Sequence, residues 1–167
     1  ADLVDRLALA VDGVGDVEIG DDSSIWPGTI IRGDVNHIRI GARSNIQDGT
    51  VIHVSHDGPD GKPVGYPTLI GDDVTIGHGA IIHACTIGDA CLIGMGAIVL
   101  DGAVVQQNGF VGAGAVIPPG KTVGSGELWL GNPAKFVRRL SEQEIAQLYY
   151  SAAHYVRLKD MYLASMP

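Results

Sequence analysis

IGDDVTIGHGAIIHACTIGDACLIGMGAIVLDGAVV, residues 70–105, is the stretch that decides the fold. An aliphatic residue returns every six positions through it, at Ile70, Ile76 and Ile82, and, after one five-residue step, at Ile87, Ile93, Val99 and Val105. The series continues upstream as Ile19, Ile25, Ile31 and Ile40, Ile46, Ile52, and downstream as Val111, Ile117, Val123 and Trp129. A period of six fits neither a helix at 3.6 nor one long strand at 2. It fits a chain that turns a corner every six residues, with three short strands making one coil. Successive coils then stack as parallel strands about 4.8 Å apart. The repeated aliphatic points inward, and the glycines that often follow it (Gly20, Gly41, Gly71, Gly77, Gly88, Gly94, Gly112, Gly124) suit the unusual backbone of corners. A single coil cannot bury its own face, so several must stack; the series provides about six.

This pattern resembles the hexapeptide-repeat left-handed parallel β-helix, a triangular prism. The left hand comes from the resemblance, because spacing alone does not select it. The register breaks strongly only at 54–68, VSHDGPDGKPVGYPT, which reads as a loop thrown outward from the prism. After Pro133 the character changes. Ser141 and Glu144 have capping-box spacing, and Ile145, Leu148, Tyr149, Ala152, Tyr155, Val156, Lys159 and Tyr162 follow a helical face. The expected organisation is a β-helix over 1–135 and a C-terminal helical unit over 136–167, with the helix itself from about Glu142 to Leu163, packed on the prism.

Composition narrows the function classes. Glycine, at 24 of 167 residues, is about twice its average usage of roughly 7%. A net charge of −8 argues against nucleic-acid or anionic-membrane partners, which need a basic face. No apolar run approaches the ~18 residues of a membrane span, and the first residues show no signal-peptide pattern. A cytoplasmic protein is the expectation. Cys85 and Cys91 read as two reduced, buried thiols.

The register also places histidines. His53 and His83 directly follow Ile52 and Ile82, third-side residues of successive coils, so they sit one above the other and point away from the core. Two imidazoles stacked in this way can converge on one metal. His78, five residues before His83, lies near the other end of that side, too far for bonds of about 2.0–2.1 Å within one chain. A neighbouring chain can bring it there, and a threefold axis then makes three equivalent sites in a homotrimer. Three neutral imidazoles with an open position form a catalytic set; zinc is the first candidate, with iron(II) and cobalt also suited to imidazole. Arg32 heads the same column, with Asp34 beside it to pair across the subunit boundary. Asp48 stacks with His78, and Gln47 lies next to it, both placed to orient a bound water or a ligand imidazole.

At this point the sequence resembles the gamma-class carbonic anhydrase family. The matching stretches are IRGDVNHIRIGARSNIQDGTVIH at 31–53, IGDDVTIGHGAIIHACTIGDACLIGMGAIVLDGA at 70–103 and LGNPAK at 130–135. The resemblance implies reversible hydration of carbon dioxide to bicarbonate. It implies metal ligation by His53 and His83 of one subunit and His78 of the next, Gln47 beside the water, and Arg32 with Asp34 between subunits. It also implies that a tyrosine of the final helix, Tyr155, reaches the site. One departure stands out. Well-known members carry a glutamate just after the position of Asp34 and another on an acidic loop, both tied to proton transfer. Here Val35 takes the first place, and the loop offers only His56, Asp57 and Asp60. His56 becomes the candidate proton shuttle. Three other readings accompany this one: a coenzyme A-linked acyltransferase, a thioesterase using the same metal, and a metal-binding trimer without catalysis.

Overall fold

Two of the prism's three corner edges turn through a left-handed backbone residue placed three positions after a core aliphatic. On one corner these are Asp22, Arg43, Asp73, Ala90 and Asn108; on the next they are Gly28, Gly49, Gly79, Gly96 and Gly114, all with φ between 51° and 74°. Glycine takes this region without a Cβ clash, and at Gly49, Gly79, Gly96 and Gly114 a side chain would otherwise stand on an open edge of the prism. The computed structural model describes residues 12–58 and 65–165. It is a mainly β parallel solenoid of about six coils with one helix among the described residues. The parts of the expected units at 1–11, 59–64 and 166–167, including Asp60, lie outside the described residues.

Three sides follow from strand pairing. Side one stacks Ile19, Ile40, Ile70, Ile87, Val105 and Val123, from β1 (Asp12–Ile19), β3 (Ile30–Ile40), β6 (Thr68–Ile70), β9 (Thr86–Ile87), β12 (Val104–Val105) and β15 (Thr122–Val123). Side two stacks Ile25, Ile46, Ile76, Ile93, Val111 and Trp129, from β2 (Ser24–Ile25), β4 (Asn45–Ile46), β7 (Thr75–Ile76), β10 (Leu92–Ile93), β13 (Phe110–Val111) and β16 (Glu127–Gly131). Side three stacks Ile31, Ile52, Ile82, Val99 and Ile117, from the first half of β3, β5 (Val51–His53), β8 (Ile81–His83), β11 (Ile98–Val99) and β14 (Val116–Ile117). The ladders match the six-residue series without a slip, and their members are buried from Ile31 to Val123. Two details differ from a uniform repeat. The nine-residue step from Ile31 to Ile40 is a single 11-residue strand that wraps a corner and joins sides one and three into one sheet. The chain also doubles back after side two: β17 (Ala134–Arg139) pairs antiparallel with β16. Residues 136–139, expected within the helical unit, are therefore a strand, because the turn after Gly131 returns Phe136 and Val137 along an edge that still offers unpaired backbone groups.

The helix α1 spans Glu142–Ser165. Its start is the expected capping box: the Glu144 N–H donates to Ser141 Oγ at 3.2 Å, and the Ser141 N–H donates to Glu144 Oε2 at 2.8 Å. Arg138 adds a two-pronged contact, and with the Ser141 N–H it holds the Glu144 carboxyl down at about 2. The cap is complete above the ordinary carboxylate range and is lost as the pH falls through that value. Leu148, Ala152 and Lys159 bury their side chains against side two, whereas Tyr149 and Tyr162, placed on the same face by periodicity, remain largely exposed. Trp26 sits edge-on to both Tyr155 and Tyr162, and Lys159 Nζ lies 2.9 Å from Asp22 Oδ1. These contacts fasten the helix across the lower coils. No described helix is long and apolar enough to cross a membrane.

Cys85 and Cys91 are both free and buried. Burial in the apolar core pushes each thiol up to about 12, so neither forms appreciable thiolate near neutrality. Ellman's reagent at pH 8 is expected to find no reactive thiol in the folded protein and two after unfolding in guanidinium.

Candidate metal centre

Side three ends in two exposed-facing imidazoles held in strand register. Arg32, His53 and His83 are direct cross-strand partners along β3, β5 and β8. Because Ile31, Ile52 and Ile82 point inward, the residues after them must point out. His53 Nδ1 stands 3.1 Å from His83 Nε2, with ring centroids 5.1 Å apart. The remaining nitrogen of each ring meets a carboxylate: His53 Nε2 lies 3.1 Å from Asp34 Oδ1, and His83 Nδ1 lies 2.6 Å from Asp101 Oδ1. An ionised carboxylate only accepts. Asp101 therefore fixes the proton of His83 on Nδ1 and turns its Nε2 lone pair toward His53. Arg32 donates to the other oxygen of Asp34. Burial raises the Asp34 carboxyl, but the hydrogen bonds from His53 and Arg32 outweigh it and hold it below the usual range.

The backbone behind the pair is also pinned. The six-residue rhythm fails directly after both histidines. Residue 54 begins the outward loop, and Ala84, with φ of 50°, begins the shortened corner to Ile87. Thr68, fully buried, closes the gap: its hydroxyl donates to the His53 carbonyl and accepts from the Ala84 N–H at 3.0 Å.

His78 sits elsewhere. It lies two positions past Ile76 on the corner between sides two and three, half exposed, with Nδ1 2.9 Å from Asp48 Oδ2. Asp48 thereby leaves its Nε2 to face outward. Among the described residues no three His, Cys, Asp or Glu side chains close on one point within a single chain. Beside His78 a cleft of about 400 Å³ opens under α1, lined by Gln47, Met95, Phe110, Ser151 and Tyr155. Gln47 is buried, its amide donating to Asn45 Oδ1 at 3.1 Å. Burial and the nearby Asp48 charge raise the Tyr155 phenol.

The geometry thus gathers the expected residues into two groups. Arg32, Asp34, His53 and His83 form one; Gln47, Asp48, His78 and Tyr155 form the other. His56 belongs to neither: it is exposed, its Nδ1 2.6 Å from the Asp57 carbonyl, and none of its hydrogen bonds reaches the other histidines. Asp101 and Thr68 are additions. Asp101 is one position past Leu100, which the 17-residue coil places on the rung after His83, so strict register alone did not point to it. Nor did it point to Thr68, which follows a loop of arbitrary length.

No family model matches the chain. It is 47% identical over 163 residues to "Gamma carbonic anhydrase 2, mitochondrial" of Arabidopsis thaliana, covering 96% of this chain and 58% of that protein. It is 47% identical over 161 residues to "Probable carbonic anhydrase" of Methanocaldococcus jannaschii, covering 93% and 92%. The chain belongs to the gamma carbonic anhydrase family. A further family relative, "Protein YrdA" of Escherichia coli, is 51% identical over 153 residues, covering 90% and 81%. The chain spans about three-fifths of the length of the Arabidopsis proteins "Gamma carbonic anhydrase 1, mitochondrial" and "Gamma carbonic anhydrase 2, mitochondrial". Among solved structures, a hexapeptide transferase family protein from Anaplasma phagocytophilum superposes with a TM-score of 0.80 at 44% identity, covering 92% and 90%. AntD, an N-acyltransferase from Bacillus cereus, does so at 0.68 with 15% identity, covering 89% and 86%, a likeness of fold alone.

Thr68→Val keeps the shape and removes the hydroxyl. It is expected to cost about 1 kcal/mol, read as a lower urea midpoint, with Thr68→Ser recovering most of it.

Proposed function

We propose that this gamma carbonic anhydrase family chain hydrates carbon dioxide reversibly as a homotrimer. Each metal would be held by His53 and His83 of one protomer and His78 of the next. The observation that carries the reading is the 3.1 Å approach of His53 Nδ1 to His83 Nε2. Two bonds of about 2.0–2.1 Å at a tetrahedral angle put ligand nitrogens roughly 3.3 Å apart, so the pair needs little adjustment to share an ion. Each donor imidazole, His78 included, already has its second nitrogen on a carboxylate, an arrangement that sets ring orientation and raises ligand basicity.

A second observation supports assembly. Beside the histidine column, side three carries an outward aliphatic column, Ile30, Val51, Ile81, Ile98 and Val116, in direct cross-strand register. Ile30 is 44% and Ile81 39% exposed in the single chain. Another protomer covering this stripe would bring its own corner histidine toward the pair.

A zinc ion held there supplies Lewis acidity that brings the ionisation of water to about pH 7, a value general to carbonic anhydrases. Asp34, Asp48 and Asp101 hold the imidazoles in place. Leu92, Met95 and Phe110 offer an apolar wall for a non-polar gas beside His78, with Gln47 and Tyr155 as the polar groups that orient it. Proton export is the weak link, since Val35 is exposed where a carboxylate would serve. His56 is the shuttle proposed in its place.

Coenzyme A-linked acyl transfer is a second reading, favoured by the hexapeptide transferase neighbour at 44% identity. Metal analysis separates the two, and a hydration assay then separates an anhydrase from a metal-binding scaffold. Purified protein, prepared aerobically with zinc and anaerobically with iron(II), is expected to hold about one ion per chain. His83→Ala should lose it, and Asp101→Asn should weaken zinc affinity by about 10–100-fold. Stopped-flow hydration should rise with buffer concentration, and His56→Ala should lower the low-buffer rate. Sharing is tested by mixing: His78→Ala and His83→Ala are each expected to be inactive, while scrambled trimers regain about a quarter of the sites. No recovery in demonstrably mixed trimers would refute the shared site.

A further inference from the structure

A second cavity, of about 550 Å³, opens near the last coils, lined by Lys121, Trp129, Pro133, Lys135, Phe136 and Pro118. Pro118 follows Ile117 as His83 follows Ile82, so the cavity stands on the histidine edge of the prism, two strand spacings or about 10 Å beyond His83.

Its lining is basic on an acidic chain. The chain carries a net charge of −8, yet no acidic residue lines this cavity. Of the three described lysines, Lys159 is paired with Asp22 and Asp160, whereas Lys121 and Lys135 have no ion-pair partner among the described residues, and both line it. The nearest acid in sequence, Glu127, is engaged elsewhere: its Oε2 accepts from Trp129 Nε1 and the Gly124 N–H, both at 2.9 Å, and Arg139 reaches its other oxygen. The floor is flat and apolar. Trp129 is nearly buried, with the Lys121 ammonium 5.6 Å from its ring centre, while Phe136 is half exposed beside two prolines. The antiparallel return of β17 creates this floor by carrying Lys135 and Phe136 back alongside Trp129.

We propose that this cavity binds a nucleotide-type ligand, a planar heteroaromatic ring bearing phosphate. Two ammonium groups without a carboxylate partner among the described residues suit a dianionic group better than a single carboxylate, the aromatic and proline surfaces suit a planar body, and the volume lies within the range of small-molecule sites. The lining holds no carboxylate, hydroxyl, thiol or imidazole, and the two protonated lysines serve as cations, so the site binds without transforming. It shares no residue with the candidate metal centre, and its occupancy is independent of the histidines.

The test is calorimetric titration of the assembled protein with ADP, adenosine and inorganic phosphate, together with the two tryptophan indole N–H resonances in a ¹⁵N-labelled sample. Saturable ADP binding is expected to shift the Trp129 resonance and leave Trp26 in place. Adenosine and phosphate alone should each bind at least about tenfold more weakly, and Lys121→Gln and Lys135→Gln should each weaken ADP by at least about tenfold. His83→Ala should bind ADP as the unaltered chain does, which separates this site from the metal reading. No heat with ADP, equal binding of adenosine, equal binding of phosphate, or unchanged affinity in folded lysine variants would overturn the proposal.

Discussion

Parallel stacking in strict register is the constraint on which everything else in this molecule rests. Because each backbone strand hydrogen-bonds to the equivalent strand one coil away, a side chain's position is copied along the prism at a fixed spacing. A core of Ile and Val ladders enforces that copying, since a slip of one residue would turn a buried aliphatic outward. His53 and His83 face each other for no reason of their own; they are passengers of Ile52 and Ile82. The same copying places Asp48 beneath His78 and Arg32 at the head of the column.

What the register does not do is orient an imidazole ring, and here short polar contacts take over. Asp34, Asp48 and Asp101 each take one nitrogen of a histidine, leaving the other directed at a neighbour or at solvent. Arg32 in turn restrains Asp34. The imidazoles are therefore held in order by the protein alone, which would reduce the reorganisation needed to bind the proposed ion.

How much of this was legible in the sequence depends on whether a feature is periodic. The three core ladders, the histidine pair, the Asp48–His78 contact and the helix cap all follow from spacing, and all are present. Asp101 lies one position past the rung that follows His83, off the strict register, and a lone aspartate in a glycine-rich corner draws no notice until its partner is seen. The rest depends on contacts that no period encodes. Thr68 arrives through a loop, β17 forms because an edge strand was left open, and the fate of Tyr149 depends on how far round α1 the prism extends. The cavity at Trp129 is the product of that same strand reversal; Lys121 belongs to no recognisable motif, and LGNPAK, which ends in Lys135, does not by its spacing announce a cavity.

Coil length varies at only one corner near the histidines. Ile52 and Ile82 are 30 positions apart in the chain, Ile82 and Val99 only 17, yet all three occupy consecutive rungs of one ladder. Chain can be added or removed there without disturbing the rungs, because Thr68 re-enters and fastens both flanks. The edge that carries the imidazoles is thus also the place where this architecture accepts new sequence. Diversification of the surroundings of the imidazoles, by natural drift or by grafting, has an open route that leaves the spacing of the rings intact.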